Sequence, residues 1–189
     1  MGDVYQELGK YNEALQFFEQ ECTLFSQLFA DNPQSVNVKN GLAISYAKIG
    51  SAYQNIGEYN KAIHFIELDI QLTKELCELD QSNSNIKNAL AISYERLGDI
   101  YQALGQHEKA LHYFRLRAQM AKELYEMEPE NKLFVEGYAI SNYKLATALK
   151  NLNNKESEIY FIEWENLLKR LDENFPYTMK YKSWKSLNY

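Results

Sequence analysis

The sequence is poor in the residues that mark several common classes of protein. Two cysteines in 189 residues are too few for a disulfide scaffold, and three prolines and eight glycines exclude collagen-like repeats and argue against disorder. No apolar run approaches the ~18–20 residues that a membrane helix needs. The N-terminus begins Met1-Gly2-Asp3 and lacks the basic and apolar regions of a secretion signal. We therefore expect a cytoplasmic protein.

Charge and motif content exclude further functions. The net charge is −6 and the isoelectric point is about 5.2, which disfavours nucleic acid because phosphate binding requires a basic surface. The sequence contains no glycine-rich phosphate loop, no paired-cysteine metal motif and no nucleophile elbow. We therefore expect no enzymatic activity, no cofactor and no metal ion, and we expect neither nucleic acid nor a membrane as a partner.

What the chain does contain is an internal repeat. The stretch LAISYERLGDIYQALG at residues 90–105 has a close counterpart, LAISYAKIGSAYQNIG, at residues 42–57. Equivalent turn positions are held by Gly9, Gly57, Gly105 and Asn153, each 48 residues after the previous one. Two successive 48-residue segments share roughly 21 identical positions, well beyond what composition alone produces. A fixed period of this size predicts an array of similar units, each packed on its neighbours.

The period divides the chain into units. Residues 1–32 form a truncated first unit that lacks most of its first helix, residues 33–80 and 81–128 form two full units, and residues 129–176 form a fourth unit that has drifted in sequence. Residues 177–189 are basic and aromatic, and we expect a C-terminal capping helix or a tail. The truncated start indicates that the chain is a fragment of a longer repeat protein or has lost its preceding units.

Each unit has the pattern of two helices joined by a tight turn. In the second unit, apolar residues follow each other at intervals of three and four from Val38 to Ile56, as on one face of a helix. Gly57 then ends this helix at a position that needs a left-handed backbone. Asn153 occupies the same position in the fourth unit and supports this interpretation, because Asn tolerates that conformation better than most residues.

Within each unit, the order of large and small residues resembles the tetratricopeptide repeat. That pattern alternates aromatic, Leu, Gly, Tyr, Gly, Ala and large apolar residues along a helical hairpin, and the small ones let the two helices approach closely. The matching residues are Tyr94, Leu97, Gly98, Tyr101, Gly105, Ala110 and Phe114 in the third unit, Tyr46, Ile49, Gly50, Tyr53, Gly57, Ala62 and Ile66 in the second, and Tyr5, Gly9, Ala14 and Phe18 in the first.

The resemblance implies an all-α fold, a right-handed superhelical α-solenoid of stacked antiparallel helix hairpins. The chain departs from the family in length, because a standard unit has about 34 residues and these have 48. The simplest explanation is a long variant of the repeat, with two added turns on each helix and helices of about 20 residues.

A second departure concerns a position late in each second helix, where the family has a small residue. Glu21, Asp69, Arg117 and Glu165 stand there instead. Arg117 falls between two acids one period away, and we therefore expect a solvated ladder of ion pairs that contributes little to stability.

Function is expected on the concave face, which the resemblance assigns to the first helices. The apolar positions mapped to that face include Ile44, Ala47 and Ile92, and Gln6, Gln54 and Gln102 form a polar row at one phase of the repeat. Amides donate and accept hydrogen bonds, which suits an extended peptide. The candidate partner-binding residues are Gln6, Ser51, Gln54, Asn55, Glu95, Asp99, Gln102, Tyr143 and Lys150.

The predicted function is a non-catalytic scaffold that binds a protein or peptide. The acids that the first three units offer to this face favour a neutral or basic partner. Two alternatives remain open. In the first alternative, the chain is a regulatory or sensor segment of a larger multidomain signalling protein. In the second, it is a self-assembling structural module that associates through its truncated N-terminal end.

Overall fold

The computed structural model of the chain describes residues 1–174, and these residues fold into eight α-helices without a β-strand. The helices are α1 (Gly2–Glu7), α2 (Tyr11–Asp31), α3 (Val36–Asn55), α4 (Tyr59–Leu79), α5 (Ser84–Ala103), α6 (His107–Met127), α7 (Lys132–Asn151) and α8 (Ser157–Asn174). The first helices α3, α5 and α7 each have 20 residues, and the second helices α2, α4 and α6 each have 21. The predicted all-α fold and the predicted helix length of about 20 residues are therefore confirmed.

The long first helices begin at residues that can cap them. The Ser35 hydroxyl accepts a hydrogen bond from the Val38 backbone N–H at 3.4 Å, at the start of α3. The Asn83 side chain accepts one from the Ile86 N–H at 3.2 Å, and the Asn131 side chain accepts one from the Leu133 N–H at 3.1 Å. Such a side chain satisfies one of the N–H groups that the first helical turn leaves unpaired.

The hairpin turns have the left-handed backbone that the sequence predicted. The φ angle is 71° at Gly9, 82° at Gly57, 70° at Gly105 and 54° at Asn153. Asn153 is the one residue other than glycine with a positive φ among residues 1–174. The role assigned to Gly57 and Asn153 is confirmed, and the four turns recur at the interval of 48 residues.

The structure divides into two compact units, and the first of them extends from Met1 to Leu104. In this unit each of the helices α1 to α5 packs on the next one along the chain, and α3 also contacts α5. Gly50 shows how closely α3 and α4 approach, because a Cβ atom built there would lie 2.6 Å from Ile66 Cγ1 and 3.3 Å from the Ile66 backbone nitrogen. The small residue is therefore required by the packing of the hairpin.

The second unit begins at Gly105 and contains α6, α7 and α8 within the described residues. Helix α7 packs against both α6 and α8. The core combines Ala121 of α6 and Val135 and Tyr138 of α7 with Trp164 and Leu171 of α8. Trp164 is 2% exposed and is one of the largest buried side chains. This unit therefore has its own apolar core.

The expectation of a solvated ion ladder is wrong. Asp69 and Arg117 are each only 3% exposed, and a Cβ atom on Gly137 would lie 3.2 Å from Arg117 Nη2. By contrast, Glu21 lies 3.6 Å from the Lys48 ammonium, and Glu165 is exposed. The sequence position is the same in all four units, but midway along α4 and α6 the side chain is directed between packed helices, where little water reaches it.

Two further expectations concern the cysteines and the C-terminal segment. Cys22 and Cys77 are both free and half-buried, and burial raises the pKa of each thiol. The predicted capping helix or tail at residues 177–189 lies outside the described residues. The division into 48-residue units 1–32, 33–80, 81–128 and 129–176 stays a prediction.

Candidate partner-binding groove

A groove of about 510 Å³ lies between the two long first helices of the first unit. Helices α3 and α5 form its walls, and two residues of α4 form its floor. We call it the α3–α5 groove, and its lining residues are Val36, Asn37, Asn40, Ala43, Ile44, Ala47, Asp69, Thr73, Asn83, Asn85, Ile86, Ala89, Ile92, Ser93 and Arg96. Its volume is within the range of clefts that bind ligands.

The middle of the groove is apolar. Ile44 on α3 and Ile92 on α5 are 45% and 38% exposed, although both belong to helices that are otherwise well packed. Both residues occupy the same phase of the repeat, and the small side chains of Ala43, Ala47 and Ala89 also line the groove and leave it open. An apolar side chain of a partner would find complementary surface here.

The floor of the groove is polar and internally hydrogen-bonded. The Thr73 hydroxyl donates to the Asp69 carboxylate at 2.9 Å, and the Ser93 hydroxyl donates to the other carboxylate oxygen. Arg96 crosses from α5 to α3, where its Nη1 donates to the carbonyl oxygen of Ala47 at 3.1 Å. The network links α3, α4 and α5, so it fixes the geometry of the groove.

Burial perturbs both charges of this floor. Desolvation raises the pKa of Asp69, and the hydrogen bonds from Ser93 and Thr73 and the charge of Arg96 offset part of the increase. Desolvation lowers the pKa of Arg96, and the charges of Asp69 and Glu95 act in the opposite direction. The opposite charges of the buried Asp69 and the half-buried Arg96 partly offset each other, so these two residues offer a partner little net charge.

Asparagine side chains form the rim. Asn37 and Asn40 on α3 and Asn85 on α5 are exposed, and Asn37 and Asn85 are one period apart. Each amide can donate and accept a hydrogen bond at the same time. The groove thus combines an apolar centre with amides at its edge, an arrangement that suits the backbone and side chains of a peptide.

The sequence-predicted residues of the first unit lie further along the same helices, outside the lining of this groove. Gln54 is half-buried and Gln102 is exposed near the C-terminal ends of α3 and α5. Ser51 is only 8% exposed, and Asn55 donates from its Nδ2 to the Ser51 carbonyl oxygen at 2.9 Å. One hydrogen-bond donor of the Asn55 side chain is therefore already used within its own helix.

The remaining predicted residues of the first unit are partly buried. Gln6 on α1 has a buried Oε1 atom that accepts no hydrogen bond from residues 1–174. Glu95 and Asp99 on α5 are half-buried and engaged with other residues. A binding role for these residues stays a prediction.

In the second unit, Tyr143 and Lys150 lie on α7. The Tyr143 ring centre is 5.0 Å from that of Trp164 and 6.3 Å from that of Phe161, so its ring packs against the core cluster. Lys150 is exposed, with its ammonium 6.0 Å from the centre of the Phe161 ring. Tyr143 therefore stabilises the α7–α8 hairpin, whatever surface it also offers to a partner.

Sequence reasoning missed the polar residues of the groove. Ile44, Ala47 and Ile92 were expected on this face, but Asn37, Asn40, Asn85, Asp69 and Arg96 were absent from the candidate residues. A signal was present, because Asn37 matches Asn85 and Asn40 matches Asn88 at the interval of 48.

Comparison with known proteins supports the family assignment. A family model of the tetratricopeptide repeat matches residues 1–24, 43–75 and 91–116. A search of curated proteins gives no match. No helix within residues 1–174 is long and apolar enough to span a lipid bilayer.

Solved structures resemble the fold. BtubC (BKLC) from P. vanneervenii has a TM-score of 0.62 and 18% sequence identity over 86% of this chain, which spans 58% of the BtubC chain. A putative kinesin light chain from Podosopora anserina with nearly identical TPR-like repeats has a TM-score of 0.47 and 18% identity, and the alignment covers 89% of this chain and 92% of that one. MamA MSR-1 has a TM-score of 0.45 and 16% identity over 89% of this chain and 74% of that one.

These findings agree with the residues that carry the pattern. The matched segments include the hairpin turns at Gly9, Gly57 and Gly105 and the close α3–α4 contact at Gly50. The segments are shorter than 48 residues, so a long variant of the repeat stays a prediction. The chain contains tetratricopeptide repeats, at residues 1–24, 43–75 and 91–116.

Proposed function

We propose that the chain is a non-catalytic scaffold that binds an extended segment of another protein in the α3–α5 groove. Tetratricopeptide repeats support a role in protein interaction in general, and the groove suggests where binding takes place. The observation that carries the proposal is the pair Ile44 and Ile92, two exposed isoleucines at one phase of the repeat on either side of an open cleft. This cleft belongs to the face that the family resemblance calls concave.

The chemistry of the groove favours a peptide over a small polar molecule. Its centre is apolar, its rim carries Asn37, Asn40 and Asn85, and the opposite charges of Asp69 and Arg96 partly offset each other. An extended backbone presents alternating donors and acceptors that match side-chain amides, and every second side chain would be directed at the isoleucines. The bound segment would therefore carry an aliphatic residue opposite the middle of the groove.

The partner is proposed to be neutral or basic. The whole chain carries a net charge of −6, and Glu95 and Asp99 lie further along α5. Complementary charge mainly increases the association rate and the selectivity, so the preference should weaken as salt is added. A cytoplasmic location and the absence of catalysis belong to the same proposal.

Binding can be tested with immobilised peptides of about 15 residues in neutral, basic and acidic sets, followed by fluorescence anisotropy for those that bind. The double variant Ile44→Ser/Ile92→Ser removes apolar surface from the groove. We expect it to bind about tenfold more weakly or worse, equivalent to about 1.4 kcal/mol.

The matched control changes two exposed leucines outside the groove, Leu79→Ser/Leu133→Ser, which are 64% and 53% exposed. The control should bind as the wild type does. Equal affinities of both double variants would contradict the proposed site, and tighter acidic binders in the groove would contradict the charge preference. The variant Gln54→Ala/Gln102→Ala tests whether the site extends towards the C-terminal ends of α3 and α5.

A second candidate function is self-association through α1. Met1, Val4 and Leu8 are 77%, 54% and 66% exposed, so α1 and the residues at its two ends present apolar side chains to solvent. Sedimentation velocity over a concentration series tests the idea. A monomer at all concentrations would exclude it.

A further inference from the structure

The second unit contains a different groove, on the side of α7 that faces its two neighbouring second helices. It has a volume of about 780 Å³, with α6 and α8 as its walls and Tyr138, Asn142 and Leu145 of α7 along its floor. We call it the α6–α8 groove. The walls of this groove are the second helices of two hairpins, whereas the walls of the α3–α5 groove are the first helices of two hairpins. The two grooves are therefore not equivalent positions of the repeat.

A single exchange in the repeat accounts for the space. In the first unit, Tyr46 extends from α3 towards Ser26 and Cys22 of α2, and the cavity between α2 and α4 there has about 180 Å³. Asn142 is the equivalent of Tyr46. Its short side chain turns back and donates to the Tyr138 carbonyl oxygen in its own helix at 2.8 Å.

The residues that face Asn142 from α6 do not fill the gap. Ala118 stands where the first unit has Cys22, and Lys122 stands where it has Ser26. Lys122 is exposed, so its ammonium extends to solvent away from the floor. The loss of one aromatic ring therefore leaves an open channel between α6 and α8.

The two walls of this channel differ in character. The α8 wall presents Ile159 and Ile162, which are 66% and 60% exposed. The α6 wall presents Arg115, Gln119 and Lys122, spaced by four and three residues along one face of the helix. Two turns, about 10.5 Å, separate the two cations along the helix axis.

The ion pairs that these cations make are weak. Arg115 Nη2 lies 3.3 Å from Glu156, and the Lys122 ammonium lies 3.8 Å from Glu126, but all four side chains are more than half exposed. Pairs of this kind contribute little and exchange readily for another carboxylate. The lining residues of the opposite wall, on α8, include no cation and one acid, the half-buried Glu163. The positive charge of the groove therefore lies on α6.

We propose that the α6–α8 groove docks an amphipathic helix of a partner protein, with aliphatic side chains on Ile159 and Ile162 and acidic side chains beside Arg115 and Lys122. A helix lying between two walls and above a third helix is a common way to cover such a channel. Acids two turns apart on the docked helix match the spacing of the two cations. The preferred charge is opposite to that proposed for the α3–α5 groove.

The test uses two synthetic helical peptides of about 18 residues with the same leucine stripe, one flanked by glutamates and the other by lysines. Anisotropy measured with the full chain should show that the acidic peptide binds at least about tenfold more tightly, although the chain as a whole is acidic. Equal binding, or tighter binding of the lysine peptide, would overturn the proposal.

Variants then locate the site. Asn142→Tyr restores the aromatic ring found at Tyr46 and should weaken binding of the acidic peptide about tenfold, whereas Asn166→Tyr, at an exposed position of α8 outside the groove, should leave it unchanged. Ile159→Ser/Ile162→Ser changes only exposed side chains and should weaken binding to a similar degree if Asn142→Tyr does not fold. Loss of binding in Ile44→Ser/Ile92→Ser, with none in these variants, would overturn the proposal.

Discussion

Gly50→Ala tests the close approach of α3 and α4 directly. In an exposed helix interior, exchanging glycine for alanine stabilises a protein by about 0.8–1 kcal/mol because of helix propensity alone. At Gly50 the new methyl group would lie 2.6 Å from Ile66 Cγ1, 3.3 Å from the Ile66 nitrogen and 3.4 Å from the Ala62 carbonyl oxygen. The side-chain atom can move, but the two backbone atoms belong to the packed partner helix.

The size of the effect is the cost of overpacking minus the gain in helix propensity. Overpacking a well-filled core costs about 1–3 kcal/mol. Subtracting the gain in helix propensity leaves a net loss of about 0–2 kcal/mol in the free energy of unfolding. Ile66→Ala removes the nearest atom, so the cost of Gly50→Ala should largely disappear in that background.

The assay is a double-mutant cycle measured by urea unfolding and circular dichroism. The pair should be coupled by about 0.5–2 kcal/mol, with the double variant more stable than the two single losses predict. Ile66→Ala by itself should cost about 2–5 kcal/mol, since Ile66 is fully buried. If Gly50→Ala stabilised the protein, or if the two changes were additive, the helices would not approach as closely as described.

Three other predictions follow from single residues. Gly57→Ala should lower stability by about 1–2 kcal/mol, because its φ of 82° disfavours a side chain although nothing lies within 4 Å of the new methyl group; an unchanged urea midpoint would contradict this. Arg117→Ala should cost more than about 1 kcal/mol, because it empties a buried site; a smaller loss would restore the expectation of a solvated side chain. Because burial raises the pKa of Asp69 above its unfolded value, its protonation stabilises the fold at acid pH, and that contribution is lost as the pH rises through the folded pKa. Wild type should therefore gain stability relative to Asp69→Asn between about pH 7 and about pH 4, and an unchanged or opposite difference in urea unfolding would refute the pKa direction.

The sequence predicted the fold well because the constraints on turns and close contacts depend on residue type. Only glycine and, less readily, Asn adopt a positive φ, so Gly57 and Asn153 identified the turns. Gly50 could be recognised as a contact position because a small residue there has no other use in a helix. Helix length followed from the interval between such positions.

The environment of charged residues could not be predicted in the same way. Asp69 and Arg117 are residue types that usually lie at a solvated surface, yet both side chains are buried between helices. Residue type alone does not show in which direction a side chain points. The hydrogen bonds from Thr73 and Ser93 that stabilise the Asp69 carboxylate come from two different helices. Only the packing of α4 against α5 brings them together.

The sequence placed candidate residues on α3 and α5, the helices that form the α3–α5 groove, but none of them lines it, and their binding role stays a prediction. Positions such as Gln54 and Gln102 were transferred from the family pattern, whereas the groove lies nearer the start of α3 and α5 and includes residues before the matched segments 43–75 and 91–116. Tyr143 shows another limit. Asn142 stands where the second unit has Tyr46, and Tyr143 follows one position later. One position is about 100° around the helix, and the Tyr143 ring contacts Phe161 and Trp164.

The most direct test of the proposed function is a titration of the isotope-labelled 22.1 kDa chain with the tightest-binding neutral or basic peptide, followed by amide and methyl NMR signals. The account predicts that the largest shifts occur at Ala43, Ile44, Ala89 and Ile92, which line the α3–α5 groove. Largest shifts on the outer faces of α2 and α4, with these four residues unchanged, would contradict it.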